Sequence, residues 1–417
     1  MRLSAALLLL LASFAALADG STEFTGHTKL DLTSQSYPDN SALRNLFGSS
    51  SLGGQADARL NLQWRDGGWS SDVNYQLVGL HGESIGLGSN LPPGLDTFVR
   101  GLPNDDRRLF NLTDVISESG DNALLHRLDR LWLGYSSEKA VIRFGRQALS
   151  WGNGLFYAPM DLVNPFDPAT IDTEYKAGDD MLYVQYLRDS GDDVQGAAVI
   201  RRDALSGDVD TDVATYALKY HGFAGEIEYD VLVAESYAET VLGLGFGRSI
   251  GGAHWGSDLV ITDTDSDTVF QFVTNLSYSW TLRGRNMSGA LEYHYNGFGV
   301  SGGRYDPLGL AQEPGLLARI ARGQMFTLGR HYLAGSVMIE MTPLWTVTPV
   351  LLANVGDPSA LLQITTNYSL GDNRVLLGSI NLPIGADGTE FGGIDSGLPD
   401  LYFSTGPGLF AQFAWYF

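Results

Sequence analysis

The chain has 417 residues, and its 48 acidic and 26 basic side chains give a formal net charge of −22. This charge excludes nonspecific binding to nucleic acid, and the absence of cysteine excludes disulfide bonds and thiolate catalysis. Charged residues make up only 18% of the chain, while glycine and aromatic residues are abundant and the mean hydropathy is −0.04. No apolar run beyond the first residues could form a spanning helix, so the composition favours a transmembrane β-barrel.

The N-terminal segment has the features of a secretory signal peptide. Residues 1–18 read MRLSAALLLLLASFAALA, with one arginine, a short apolar core and a small-x-small end. We predict cleavage before Asp19, because the apolar run is short for a membrane anchor and a polar Asp-Gly pair follows at once. Loss of Arg2 would leave 25 basic and 48 acidic residues in 19–417, which we predict to be a single barrel with a net charge of −23.

The rest of the chain is dominated by alternation with a period of two. In TVFQFVTNLSYSWTL (268–282), Phe270, Phe272 and Leu276 share one face, and polar residues occupy the other. A soluble β-sandwich would alternate in the same way, but strands of about ten residues with aromatic ends favour a membrane crossing. We predict an all-β fold, a transmembrane antiparallel up-and-down β-barrel of about 18 strands, at 21–33, 56–66, 68–80, 124–136, 139–148, 181–189, 193–203, 211–221, 223–235, 237–249, 251–263, 267–282, 286–298, 327–341, 344–355, 359–371, 373–383 and 408–417.

The connectors give an independent check on the strand number. Every second connector is short, and these read DGG, SSEK, DSGDD, HG, SIGG, RGRN, TP and GDN. The long connectors all fall at the other end of the strands, at 34–55, 81–123, 149–180, 299–326 and 384–407. Outer-membrane barrels have short periplasmic turns and long outer loops, so this parity predicts an even strand number with both termini in the periplasm.

The C-terminal segment GLFAQFAWYF alternates apolar and small or polar residues and ends in the aromatic Phe417. It resembles the assembly signal of Gram-negative outer-membrane proteins. The resemblance implies recognition by the barrel-assembly machinery and location in the outer membrane, where the partners would be lipid and lipopolysaccharide.

The inward faces of the predicted strands carry opposite charges on two sides of the ring. A basic pore wall would comprise Arg59, Arg65 and Arg143. An acidic pore wall would comprise Glu226, Glu228, Asp230, Asp258, Glu292 and Glu340. We expect the two walls to face each other across the lumen and to select polar solutes by charge. The alternative is that these charges pair locally and only solvate the lumen.

The connector 149–180 is long, has no periodicity and is stiffened by three prolines. It carries apolar side chains that are unusual for a solvated loop: Trp151, Phe156, Tyr157, Met160 and Phe166. We predict that it folds into the barrel as a constriction loop. The alternative is a loop that seals the barrel top without contacting solutes.

The run GRQALSWGNG, with Gly145, Arg146, Gln147, Trp151 and Gly152, resembles a motif of several outer-membrane barrel families. Among them are alginate-export-type channels and related porin-like families. The resemblance covers roughly forty residues and implies a channel class rather than a substrate. An alginate channel would be expected to have a strongly basic lumen, whereas this chain is acidic.

Other functions have weaker support in the sequence. Asp263, Asp265 and Asp267 are spaced as in a calcium loop but lack its glycine and its later glutamate, so we predict neither a metal site nor a cofactor. The sequence contains neither a nucleophile elbow nor a His-Glu-x-x-His run, so no such motif indicates an enzyme. We therefore predict a porin-like channel for small hydrophilic solutes, with an exporter or secretion-linked barrel second and a lipase-like barrel enzyme third.

Overall fold

The computed structural model describes residues 20–87 and 101–417, so the predicted signal peptide lies outside the described residues. The strands are β1 (Ser21–Ser36), β2 (Ser50–Asp66), β3 (Trp69–Gly82), β4 (Thr113–Ser119), β5 (Asn122–Ser136), β6 (Ala140–Gln147), β7 (Asp179–Leu187), β8 (Asp193–Val199), β9 (Thr215–Ala224), β10 (Ile227–Ser236), β11 (Glu239–Ile250), β12 (Ala253–Asp263), β13 (Thr268–Leu282), β14 (Arg285–Asn296), β15 (His331–Thr342), β16 (Trp345–Asn354), β17 (Ser359–Gly371), β18 (Arg374–Ile384), β19 (Ile394–Asp395), β20 (Tyr402–Phe403) and β21 (Gly408–Tyr416). The helices are α1 (Arg44–Phe47), α2 (Glu83–Leu87), α3 (Pro307–Leu310) and α4 (Pro314–Ala321). None of these helices is long and apolar enough to cross a membrane.

Eighteen of the strands form one closed antiparallel barrel. Each pairs with its neighbours in the chain, and β1 closes the ring by pairing with both β2 and β21. Gly26 and Phe417 extend the closing ladder through two reciprocal backbone hydrogen bonds of 2.8 and 3.0 Å. The predicted fold class is therefore confirmed. The remaining strands β4, β19 and β20 belong to the outer loops and were not predicted.

The alternation in the sequence separates the two faces of the barrel wall. In β13, Phe270, Leu276 and Tyr278 are exposed on the outer surface, while Gln271 and Asn275 are buried on the other face. Similar exposed apolar side chains recur on most of the ring and form the belt that meets lipid. The inner face carries polar side chains, or small residues where a loop packs against it.

The connection lengths agree with the predicted parity. The turns at one end are 67–68, 137–139, 188–192, 225–226, 251–252, 283–284, 343–344 and 372–373, and the long loops lie at the other end. One predicted turn was misplaced: the turn after β9 lies at 225–226 rather than at the His-Gly pair 221–222. Gly225 has a φ of +67°, which glycine adopts without steric cost, so the strand continues to Ala224 and turns there.

Strands β6 and β7 are short and leave a gap in the barrel wall at the end where the long loops lie. Part of the loop between β3 and β5 fills this gap. Strand β4 pairs with the outer half of β5, and Arg108 forms a bridge with Arg201 beyond β8. Arg146, at the end of β6, holds this insertion. Its guanidinium donates to Asp180 at 2.9 and 3.1 Å, to Asp105 at 3.0 and 3.1 Å and to the carbonyl of Phe110 at 2.6 Å.

Candidate pore constriction

The loop between β6 and β7 (148–178) lies inside the barrel. Its Asn153 is hydrogen-bonded to Asp258 on β12, and its Asp172 pairs with Lys29 on β1. These two strands lie on nearly opposite sides of an eighteen-stranded ring. A segment that contacts both through their inner faces must cross the lumen.

Two carboxylates of the wall hold the first half of the loop by its backbone. Glu292 accepts hydrogen bonds from the N–H groups of Leu155, Phe156 and Tyr157, at 2.5, 3.0 and 2.8 Å. Asp258 accepts from the backbone and side-chain nitrogens of Asn153, both at 2.7 Å. Carboxylates that accept several backbone hydrogen bonds form strong, directional anchors, so the loop is fixed to this side of the wall.

Glycines make room for the loop on the inner face of β11 and β12. The sequence LGLGFGRS places leucine and phenylalanine outward and Gly243, Gly245 and Gly247 inward. A Cβ on Gly245 would lie 2.8 Å from Asn153 Nδ2, and one on Gly243 would lie 3.3 Å from Met160 Cγ. The glycines therefore allow the backbone and side chains of the loop to approach the wall closely.

Apolar side chains of the loop pack against the same half of the wall. Trp151 and Met160 are buried against Leu232, Val241 and Val260. Tyr157 stacks on His294, with ring centroids 4.8 Å apart, and it also contacts Tyr332. This packing explains why the loop is more apolar than a solvated connector.

The second half of the loop is tied to the opposite side of the barrel. Lys29 Nζ lies 2.6 Å from both Asp172 and Glu174. Gln412 donates to Asp172 at 2.9 Å, and the Tyr416 hydroxyl donates to Glu174 at 2.8 Å. The loop is thus anchored at β1 and β21 as well as at β12 and β14.

An internal ion pair joins the two halves of the loop. Lys176 Nζ lies 2.5 Å from Asp161 Oδ2, and it also donates to Ser150 at 2.9 Å. Burial raises the pKa of Asp161 to about 6 and lowers the pKa of Lys176. Breaking a buried pair of this kind leaves an uncompensated charge, so the pair favours one loop conformation.

A polar cavity of about 510 Å³ remains between the second half of the loop and the wall formed by β1, β2, β3 and β5. Its lining includes Arg59, Arg127, Asp129 and the ring of Tyr175, which lies 4.0 Å from Arg59 Cζ. A second cavity of about 340 Å³ lies at the end of the short turns. Only the first of these cavities is lined by residues of the loop.

The residues of the basic wall are not equivalent. Arg59 is buried and donates to Asp129, whereas Arg65 is exposed and donates to Gln63 at 3.3 Å. Arg143 lies over the ring of Trp132, at 4.9 Å from the centroid, and shares the smaller cavity with Arg65. The structure thus brings Arg65 and Arg143 to one cavity and places Arg59 at the other.

The residues of the acidic wall occupy three different environments. Asp258 and Glu292 hold the loop, and Asp230 pairs with Lys219 at 3.0 Å and with His221 at 2.9 Å. The other three lie nearer the short turns: Glu226 is in the turn 225–226 and pairs with Arg248, Glu228 is exposed, and Glu340 accepts from Asn286 at 2.8 Å.

Of the five apolar loop residues singled out in the sequence, Trp151, Tyr157 and Met160 are buried, Phe156 is partly buried, and Phe166 is 37% exposed. Sequence reasoning missed the second anchor of the loop at Lys29, Asp172 and Glu174. The alternation H-T-K-L-D-L in β1 put Lys29 on the inward face and was a usable signal for it. The alternating glycines of β11 were a signal for close approach of another segment.

No protein-family model matches the chain, and no curated protein matches it. Solved structures share its backbone arrangement. OccAB4 of Acinetobacter baumannii has a TM-score of 0.52 at 9% identity, with 96% of this chain and 99% of that chain covered. OccAB2 of Acinetobacter baumannii has a TM-score of 0.51 at 9% identity, with 95% and 98% covered. A mutant of the Rh. blastica porin has a TM-score of 0.47 at 8% identity, with 95% and 100% covered.

At this level of identity the similarity concerns the fold. The closed ring of eighteen strands, the apolar belt on its outer surface and the alternation of short turns and long loops agree with that similarity. The chain therefore shares the β-barrel fold of OccAB4 and OccAB2.

Proposed function

We propose that this protein is a porin-like channel for passive passage of small hydrophilic solutes, with residues 149–180 as its constriction. The observation that carries the proposal is the loop anchored across the lumen beside a polar cavity of about 510 Å³. An eighteen-stranded barrel is wide enough for an aqueous path, and a loop fixed inside it reduces the passage to the dimensions of a small solute.

The two pore walls are part of this proposal in a modified form. Asp258 and Glu292 act by holding the loop, and the arginines that border the two cavities face the path of the solute. Selection by charge then depends on the side chains around the cavities rather than on two bare walls. Lipid and lipopolysaccharide surround the outer belt and the acidic outer loops.

The test is single-channel conductance of the purified barrel in planar bilayers. Replacing residues 153–166 with a short Gly-Ser linker removes the Glu292 and Asp258 contacts, and we expect the conductance to rise severalfold. The matched control removes residues 204–207 from an outer turn in which Leu205 is 98% exposed, and its conductance should equal that of the wild type.

A wild-type barrel that is folded but does not conduct would reject the channel proposal, and lipid hydrolysis by that barrel would favour the enzyme alternative. Equal conductance of the wild type and the 153–166 variant would reject the constriction while leaving the channel in place.

A further inference from the structure

The cavity beside the second half of the loop contains buried polar atoms without hydrogen-bond partners. They lie on neighbouring positions of β1 and β2 and are His27 Nδ1 and Nε2, Asp31 Oδ1, Asp57 Oδ1 and Arg59 Nε. Buried polar atoms are almost always hydrogen-bonded in folded proteins. Their concentration around one cavity indicates that the cavity is built to receive a polar partner.

The charged residues that line this cavity indicate the charge of its partner. Its lining contains Asp31, Asp57, Asp129, Asp167 and Asp172 but only three Lys or Arg side chains. Lys29 pairs with Asp172, and Arg59 pairs with Asp129. Within the described residues, no lysine or arginine comes within ion-pair distance of Asp31 or Asp57, so a cation would be favoured there.

The arrangement fits an organic amine better than a metal ion. In the part of the chain that the structure describes, no set of three His, Asp or Glu side chains is close enough to hold a metal. A protonated primary amine has three N–H donors, and the unpaired oxygens Asp31 Oδ1 and Asp57 Oδ1 in this lining are acceptors for them. Asp57 Oδ2 is already used by Gln76 and lies 3.8 Å from His27 Nε2, which leaves its Oδ1 for a ligand.

We infer that this cavity, lined by His27, Asp31 and Asp57, is a binding site for small solutes that carry a protonated primary amine. The inference rests on the proposed channel function, since the site lies beside the constriction loop. The amine replaces its water shell with the two carboxylates as it passes. Such a site selects solutes when it lies on the polar path through the lumen rather than on the outer surface.

The experiment uses the full-length barrel and ethanolammonium as the probe. In planar bilayers, ethanolammonium should reduce the potassium current in a saturable manner, whereas ethylene glycol, a neutral molecule of similar size, should not. The double variant Asp31→Asn and Asp57→Asn should raise the half-blocking concentration at least tenfold, because both acceptors lose their charge. Its potassium conductance in the absence of the probe should stay within about twofold of wild type.

The matched control is Glu226→Gln with Glu228→Gln, which removes the same charge near the short turns and should leave the block unchanged. Equal effects of the two double variants would overturn the site, since they would show an effect of total charge alone. Normal potassium conductance without saturable block would overturn the site but not the channel. If the double variant fails to fold, equilibrium dialysis of ethanolammonium against wild-type barrel and Asp57→Asn barrel measures binding directly, and equal binding would overturn the site.

Discussion

Arg146 shows how one buried side chain can join three segments of the barrel wall. Its side chain is 1% exposed, and the carboxylates of Asp105 and Asp180 that it contacts are fully buried. The planar guanidinium reaches both carboxylates and the Phe110 carbonyl at the same time, which a single ammonium cannot do. Arg146, in the Gly-Arg-Gln run at the end of β6, therefore has a structural function.

We predict that Arg146→Lys destabilises the barrel by about 3 kcal/mol, because it leaves buried carboxylate oxygens without a partner. Urea unfolding of the barrel in lipid vesicles, followed by tryptophan fluorescence, measures the change. The control is Arg248→Lys, whose pair with Glu226 is exposed and should change stability by less than about 1 kcal/mol. Equal effects of the two variants would show that Arg146 does not hold the wall.

At the scale of single elements, the constriction loop and the strands that hold it form one unit. Each oxygen of Glu292 has two donors: Oε1 accepts from Phe156 and Tyr157, and Oε2 accepts from Leu155 and Asn275. An amide in place of this carboxylate would direct N–H donors at two other donors. The loop depends on a charged acceptor at this position.

We predict that Glu292→Gln lowers the free energy that holds the loop against the wall by about 1–3 kcal/mol without unfolding the barrel. The expected result is more open-channel noise in bilayers and faster cleavage of the segment 149–180 by a protease added to the loop side. The control is Glu340→Gln, which loses one hydrogen bond from the exposed Asn286 side chain. If Glu292→Gln showed the same open-channel noise and the same rate of protease cleavage as wild type, the anchoring function of Glu292 would be contradicted.

The last outer loop contains a second buried carboxylate, and it should respond to pH. Glu390 accepts hydrogen bonds from the Tyr332 hydroxyl and Asn354, both at 2.6 Å, and from the backbone of Leu328 at 2.8 Å. Burial raises the pKa of Glu390 from its ordinary 4.5 to about 7, with Asp357 nearby as a further negative charge. The folded loop thus favours the protonated acid more than the unfolded loop does.

The stability of this loop should therefore be greatest below pH 4.5 and should fall as the pH rises through 7, where ionisation costs about 3 kcal/mol. Hydrogen exchange of the backbone amides of residues 385–407, corrected for the intrinsic pH dependence of exchange, measures the stability of the loop. In Glu390→Gln the decrease between pH 4.5 and 7 should disappear. A wild-type loop with the same protection at both pH values would refute the prediction.

For the molecule as a whole, the sequence was sufficient for the ring of strands but not for the contents of the lumen. Alternation is a local property, and both the exposed Phe270 and the buried Gln271 follow from it. The parity of short and long connectors fixed the strand number. The turn at Gly225 was misplaced because the strand pattern continues through His221 without a break.

The candidate site was only partly predictable because it is made by contacts between distant residues. The loop 149–180 was recognisable from its apolar residues and prolines, but its anchors are more than 100 residues away in the chain. The inward charges of Asp258 and Glu292 followed from alternation. Their use as backbone acceptors depends on where the loop lies, which no local pattern encodes.

The last strand of the chain closes the ring. Strand β21 pairs with β1 over nine residue positions and with β18 on its other side. Without residues 408–417, β1 and β18 would each present an unpaired edge to lipid, at a cost of several kcal/mol for each buried polar group. We predict that this truncation prevents folding from urea into lipid vesicles, measured by the heat-dependent shift in gel migration that folded barrels show. Phe417→Ala keeps the two backbone hydrogen bonds to Gly26 and should fold like wild type in this assay, even if the variant is assembled poorly in cells. If Phe417→Ala also failed to fold in vitro, the final side chain would act through packing of the barrel rather than through recognition during assembly.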